Sequence, residues 1–356
     1  MPVIPLFWAW EIAVVNRVER VLIAGPSWVG DMVMAQSLFI TLKQQYSQAQ
    51  IDVLAPQWSL PLLARMPEVN EGIALPLGHG EFGLATRWQL GRALRQRGYN
   101  RAIVTPRSFK AALVPFFAGA TVRTGYRGEM RYGLLNDIRP LDKAVLKQTV
   151  QRYVALGLPA DSALPPPVPS PSLEIDGTNR QRVLNELGLK RDSKIIGLMP
   201  GAEYGPAKCW PIPYYAELAE RLAQQGCRVW LFGSEKDRPV AEKIAEGAGE
   251  RVHNLCGRTT LVDAVDLIAC CDAVVSNDSG LMHVAAAVGR PLVAIYGSST
   301  PDYTPPLTDK ATVLYRELEC SPCFERNCPY GHTDCLTGIT VDEVYRALMP
   351  MLGGDE

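Results

Sequence analysis

Apolar residues along this chain follow two different periods in turn, and that succession predicts its architecture. Compact apolar runs at 20–24, 51–55, 72–75, 102–105 and 122–125 read as strands. Segments with helical spacing at 32–46, 60–66, 87–97 and 109–118 lie between them. A βαβα rhythm of this kind predicts a parallel sheet covered by helices on both faces. A proline-rich break then runs from Leu158 to Pro171. Beyond it the rhythm resumes, with strands expected at 195–199, 228–232, 273–276 and 291–296 and helices at 214–225, 238–248, 261–271 and 280–288. The expected fold class is α/β, two Rossmann-like domains facing across a cleft. The first domain is expected over 20–158, a semi-rigid linker over 159–172, the second domain over 173–345 and a tail over 346–356.

Composition agrees with two soluble domains, since 356 residues at 47% hydrophobic content can bury large cores. The formal net charge of −1 conceals an imbalance: residues 20–158 carry 17 Lys/Arg against 8 Asp/Glu, and residues 159–356 carry 18 against 27. The basic first half predicts a polyanionic partner such as a phosphorylated lipid or acidic sugar. Nine cysteines, an odd number, with no secretory leader pattern, favour a reducing compartment. The apolar first 19 residues lack a positively charged start and are too short for a bilayer span, so a poorly ordered extension is expected there.

Chemistry concentrates in loops that follow strands, where open α/β sheets bind ligands. The loop Gly25-Pro26-Ser27-Trp28-Val29-Gly30-Asp31 has neither a dinucleotide fingerprint nor the Gly-Lys-Ser/Thr ending of a P-loop. It presents an acid where a P-loop would present a lysine, which suits a base better than a phosphate cradle. In the second half, Glu203-Tyr204-Gly205-Pro206-Ala207-Lys208 offers glycine flexibility and a cation suited to a departing phosphate. Glu235, at the end of the next strand, suits a ribose hydroxyl pair, although an acid in a first helical turn is also ordinary dipole chemistry. Asp278-Ser279-Gly280 opens a helix whose free N–H groups form an anion site, with His283 about one turn along. Asp278 also fits a plain N-cap.

Five segments together resemble a known family: Gly25 to Met32, Pro76 to Gly80, Arg123 to Gly133, Gly201 to Lys208 and Asn277 to His283. They are similar to the lipopolysaccharide heptosyltransferases of glycosyltransferase family 9, and among these to the heptosyltransferase II proteins of Gram-negative bacteria. The resemblance implies a GT-B fold and transfer of L-glycero-D-manno-heptose from ADP-heptose to the first heptose of the inner core, with inversion. It implies Asp31 as general base and Lys208 as the cation on the leaving diphosphate. Glu203, Tyr204, Lys208, Glu235, Asp278, Ser279, Gly280 and His283 would hold the donor. Ser27, Trp28, Arg107, Lys110, Arg123, Arg127 and Arg131 would face the acceptor.

The partners implied are an ADP-sugar and a lipid A–core acceptor at the inner face of the cytoplasmic membrane, with no nucleic acid and a monomeric enzyme. The alternatives are a heptosyltransferase acting on Kdo2-lipid A itself, or a nucleotide-sugar epimerase of the same two-domain fold. No cofactor or metal is expected. Cys320, Cys323, Cys328 and Cys335, with His332 between the last two, have zinc-like ligand types, but their spacing is tighter than that of paired knuckles, so free thiols are the favoured expectation.

Overall fold

The computed structural model describes residues 19–78 and 80–353, so the extension ahead of Glu19, together with His79, lies outside the described residues. The first sheet contains β1 (Arg20–Ala24), β2 (Gln50–Pro56), β3 (Glu71–Leu75), β4 (Arg101–Val104), β5 (Val122–Tyr126) and β6 (Asp137–Arg139) in the order β3-β2-β1-β4-β5-β6. The second contains β7 (Ile195–Met199), β8 (Arg228–Leu231), β9 (Val252–Asn254), β10 (Ala273–Asn277), β11 (Leu292–Tyr296) and β12 (Ala311–Tyr315) in the order β12-β11-β10-β7-β8-β9. Every pairing is parallel. The continuous apolar runs follow from this: β7, β10 and β11 are buried along their whole length because helices cover both faces.

In each sheet the strand order reverses beside the first strand, at β1/β4 and at β7/β10. Those two switch points open crevices at the strand ends, and the loops singled out above leave β1, β7 and β10 there.

The helix Val29–Gln45 departs from the amphipathic pattern expected of it. Its residues 32–39 are all buried, including the polar Gln36 and Ser37. It packs against the helix Thr149–Gly157 on one side and against the helix Gly280–Ala287 of the second unit on another, and it shares an apolar cluster with Val21, Ile23, Ile51 and Val53 of the first sheet. A helix buried all round needs no polar stripe. One apolar cluster accordingly runs through both units, from Val21, Leu38 and Phe39 to Met282, Ala285 and Trp230.

No helix or strand lies between Gly157 and Gly177, yet that proline-rich stretch is tied down. Ser37 donates to Pro169 O at 2.7 Å, and Gln36 both donates to Ser172 O at 2.7 Å and accepts from its N–H at 3.0 Å. Near the same junction, Arg65 grips the fully buried Asp266 of the other unit with two bonds, at 2.9 and 2.7 Å.

Several elements differ from expectation. The helix expected at 109–118 divides into a 3-10 turn, Phe109–Ala112, and a helix, Leu113–Phe117. Pro115 has no N–H to give and is tolerated only in a first turn, so the helix begins just ahead of it. The helices Thr149–Gly157 and Gly177–Glu186 and the strands β6, β9 and β12 were not anticipated. The stretch expected as a tail from 346 instead belongs to a helix, Val341–Leu352, that buries Val344 and Leu348 and is capped by Thr340. Among the described residues no helix is long and apolar enough to cross a membrane.

Candidate functional site

Two helix N-termini meet across the junction of the sheets. The helix after β1 starts at Val29, and the helix after β10 starts at Gly280 with Ser279 as an N-cap that makes no side-chain bond to it. Both approach closely because glycine stands at each contact. A Cβ on Gly280 would lie 2.9 Å from Val29 Cβ, and one on Gly30 would lie 2.7 Å from His283 Cδ2. The free N–H groups and dipoles of the two helices thus point toward one region, which favours negative charge there.

Asp31 sits at the rim of this region, in the first turn of its helix. Burial raises its carboxyl from the ordinary range to about 6, against the opposing hydrogen bond from Tyr153 and the charge of Lys208, with Asp278 adding repulsion. A carboxylate poised there is ionised at neutral pH and still basic enough to accept a proton. Tyr153, buried on the helix Thr149–Gly157, carries its hydroxyl to Asp31. That residue was missed by the sequence, since its helix was not foreseen.

Lys208 lies across the region, at the end of the 3-10 turn Pro206–Lys208. Its Nζ donates to Asp278 Oδ2 at 2.5 Å. Asp278, only 4% exposed, also accepts from Ser299 Oγ at 2.5 Å and Thr304 Oγ1 at 3.4 Å. It is therefore a hub for cation and hydroxyls rather than the N-cap. Ser299 lies just beyond the end of β11, so the strand-end rule that found the other loops could have found it. Asn277 braces the pair of loops: its Oδ1 accepts from Trp210 N at 3.0 Å and Tyr215 OH at 3.1 Å, and its Nδ2 donates to Pro200 O at 2.7 Å.

His283 is buried, and burial depresses its pKa to about 4, with Asp278 opposing and Lys208 adding to the depression. It is neutral through the physiological range and acts by shape and hydrogen bonding rather than charge. Ser279 contacts Ser276 Oγ at 3.3 Å. Tyr204 lies beneath Lys208, whose Nζ is 5.2 Å from the ring centroid. Glu203 is exposed and paired with Lys236 at 2.5 Å, while Glu235, also exposed, pairs with Arg238 at 2.7 Å. Glu235 follows the end of β8 and lies over Gly257, where a Cβ would collide with its carboxylate.

The basic residues divide into two groups. Arg107 and Arg127 are exposed beyond the ends of β4 and β5, Trp28 is exposed at the mouth of the first loop beside Ser27, and Lys110 reaches Glu81 O at 3.2 Å. Arg123 and Arg131 correct the sequence expectation. Arg123 stands at the opposite end of β5 and donates to Ala120 O and Leu134 O, both at 2.6 Å. Arg131 is 2% exposed and holds Pro106 O and Tyr126 O. Their guanidinium groups are engaged in bracing loop carbonyls that β-sheet pairing leaves open, so neither faces an acceptor.

Comparison with known proteins adds a second, independent line. The family model of glycosyltransferase family 9 (heptosyltransferase) matches residues 87–334. Lipopolysaccharide heptosyltransferase 2 of Escherichia coli K12 is 48% identical over 346 residues, covering 95% of this chain and 99% of that protein. Lipopolysaccharide heptosyltransferase 1 of Pseudomonas aeruginosa is 30% identical over only 160 residues, 42% of this chain and 44% of that one. The solved structure of the E. coli ADP-heptose lipopolysaccharide heptosyltransferase II superposes with a TM-score of 0.83 at 47% identity, covering 94% of this chain and 98% of that one.

Proposed function

The chain belongs to glycosyltransferase family 9, the heptosyltransferases, and from that premise we propose how its GT-B architecture performs the transfer. The enzyme moves a heptose from an ADP-heptose donor onto the lipopolysaccharide inner core, adding the second heptose to the first. Full-length similarity to heptosyltransferase 2, against a match over less than half the chain to heptosyltransferase 1, supports this acceptor over unmodified Kdo2-lipid A.

The observation that carries the mechanism is the opposition of Asp31 to Lys208 and the Gly280 helix N-terminus across one junction. In an inverting displacement, the acceptor hydroxyl attacks the anomeric carbon from the face opposite the ADP. Its proton passes to Asp31 as the new C–O bond forms, and the bond to the β-phosphate oxygen breaks with its electron pair leaving on ADP. Charge growing on that oxygen is met by Lys208 and the helix N–H groups, already in place and needing little reorganisation. In the ligand-free arrangement Lys208 neutralises Asp278, which would otherwise repel a diphosphate; Ser299 and Thr304 keep Asp278 hydrogen-bonded when Lys208 turns to the phosphates. Glu235 takes the ribose hydroxyls, Glu203 and Tyr204 flank the donor, and neutral His283 packs beside the donor sugar.

The acceptor lies over the first unit, facing Ser27, Trp28, Arg107, Lys110 and Arg127. Its lipid remains in the inner face of the cytoplasmic membrane. Exposed Phe82, Leu84 and Trp88, with Arg92 5.4 Å from the Trp88 ring centroid, form an aromatic and cationic surface of the kind that sits at headgroup level. Purified enzyme given ADP-heptose and either Kdo2-lipid A or its mono-heptosylated form tests the reading. Preference for the mono-heptosylated lipid is expected. Equal or better turnover of Kdo2-lipid A overturns the acceptor assignment, and consumption of ADP-heptose without any lipid would point to an epimerase.

A further inference from the structure

The long segment between β12 and the short helix Asp334–Thr337 contains no other helix or strand. It nevertheless brings Cys320, Cys323, Cys328 and Cys335 around one void of about 10 Å3, with His332 at its edge. All four are free thiols. Two, four and six residues separate them in turn, a spacing too close for two independent knuckles. In the fold it needs only to encircle one point. A void of this size takes a single water or a single cation, and its lining of four sulfurs is soft and poor in partners for water.

The backbone of the segment is shaped around the sulfurs. The chain turns tightly beside Cys328, where Gly331 N–H donates to Cys328 O at 3.2 Å. Phe324 and Thr333, with φ of 56° and 55°, are the only non-glycine residues with positive φ among the described residues, and both belong to this segment. Such conformations persist where surrounding structure over-determines them. The sulfurs are gathered without being drawn to a common point: among the described residues no three His, Cys, Asp or Glu side chains stand as a ready-made metal centre. A bound cation would supply the missing closure.

We propose that Cys320, Cys323, Cys328 and Cys335 bind one tetrahedral thiophilic cation, zinc or ferrous iron, as a clip that holds the donor loop in place. The connection to that loop is direct. Ala207 N–H donates to Arg326 O at 3.1 Å, Tyr204 OH to Phe324 O at 2.5 Å, and Phe324 N–H to Ser298 O at 2.7 Å. The Arg326 guanidinium lies 5.3 Å from the Tyr204 ring centroid, on the residue that also underlies Lys208. Closing the four thiolates on a cation fixes Phe324 and Arg326, and through them the turn that carries Lys208. Binding releases thiol protons and transfers no electrons.

Elemental analysis of the full chain, purified under reducing conditions without added metal, tests the first half. About one zinc or iron per chain is expected, released in step with titration of four thiols by a mercurial. The same site on metal-free protein should give the intense visible bands of tetrahedral thiolate cobalt when Co2+ is added. The pair Cys328→Ser with Cys335→Ser should lose the metal, and Cys227→Ser, elsewhere in the core, should keep it. Less than roughly a tenth of an equivalent, both as purified and after incubation with Zn2+ and desalting, overturns the site, as does recovery of the four cysteines as two disulfides. For the second half, removing the metal should weaken ADP binding by about tenfold, since a small displacement of Lys208 is enough. Unchanged ADP affinity overturns the link to the donor loop. That half rests on the donor reading above and the metal content does not, so failure of either is read separately.

Discussion

Gly30 and His283 stand face to face across the junction of the two sheets, with a Cβ on Gly30 placed 2.7 Å from His283 Cδ2. The contact fixes how closely the helix bearing Asp31 approaches the helix that opens at the diphosphate site. Gly30→Ala has no flexible side-chain end to push aside, because His283 is buried on every side. The helices must separate by a few tenths of an ångström or more. We expect the variant to fold with a modest loss of stability, about 1–3 kcal/mol, and to lose at least roughly tenfold in kcat. Steady-state kinetics beside a urea melt checks it; full activity would show that the contact is not tuned.

The raised carboxyl of Asp31 sets a pH limit on activity. With the base titrating at about 6, kcat/KM should decline below that pH and level off above it. Tyr153 stabilises the ionised form, so Tyr153→Phe should move this limb to higher pH while leaving ADP affinity unchanged. A limb that stays fixed in the variant would contradict the positioning role of Tyr153.

The same shift makes Asp31 a burden on stability. The unfolded chain releases this proton near the ordinary value of 3.8, whereas the folded chain releases it at about 6. Between these values the unfolded state binds fewer protons, so stability is greatest below pH 3.8 as far as this group is concerned, falls as pH rises to 6, and stays reduced above it. Asp31→Asn should therefore stabilise the protein at pH 7 to 8 by up to about 3 kcal/mol. Chemical denaturation at pH 5 and pH 8 measures it, with the gain larger at pH 8.

Removing Lys208 leaves Asp278 buried with only hydroxyl partners. Lys208→Ala should thus cost about 2–3 kcal/mol of stability besides weakening the donor site. Adding Asp278→Asn to it should recover most of that stability without restoring turnover. Recovery of both would mean that Lys208 serves only to neutralise Asp278.

Arg65 and Asp266 join the two units through a pair of short bonds at a fully buried carboxylate. Arg65→Ala should cost about 3 kcal/mol and shift the relative placement of the units, raising KM for both substrates more than it lowers kcat. Scattering of the ligand-free variant and its thermal melt check the two halves of this statement.

Much of this site was legible in local sequence because strand ends and helix starts leave local marks. Val21 to Ala24 followed by a glycine-bounded loop locates Asp31, and the same logic locates Lys208 and Asp278. What escaped depends on tertiary context. Tyr153 lies on a nine-residue helix, Thr149–Gly157, entered through a Gln148–Gln151 capping box instead of the commoner Ser, Thr or Asp start. Arg123 and Arg131 read as acceptor-facing charge because nothing nearby in sequence reveals that unpaired carbonyls need their N–H groups. The all-round burial of Val29–Gln45 comes from a second unit that a local period cannot register. The four late cysteines show the limit most clearly: their spacing argues against paired knuckles, and only the fold gathers them around one small void.

The most direct test of the central claim is Asp31→Asn in a single-turnover experiment with ADP-heptose and the mono-heptosylated lipid acceptor, alongside a donor-binding titration. The account predicts a donor Kd within about twofold of the parent and a transfer rate lower by at least about a hundredfold, as expected for loss of a general base facing an intact leaving-group site. A near-parental transfer rate would contradict it.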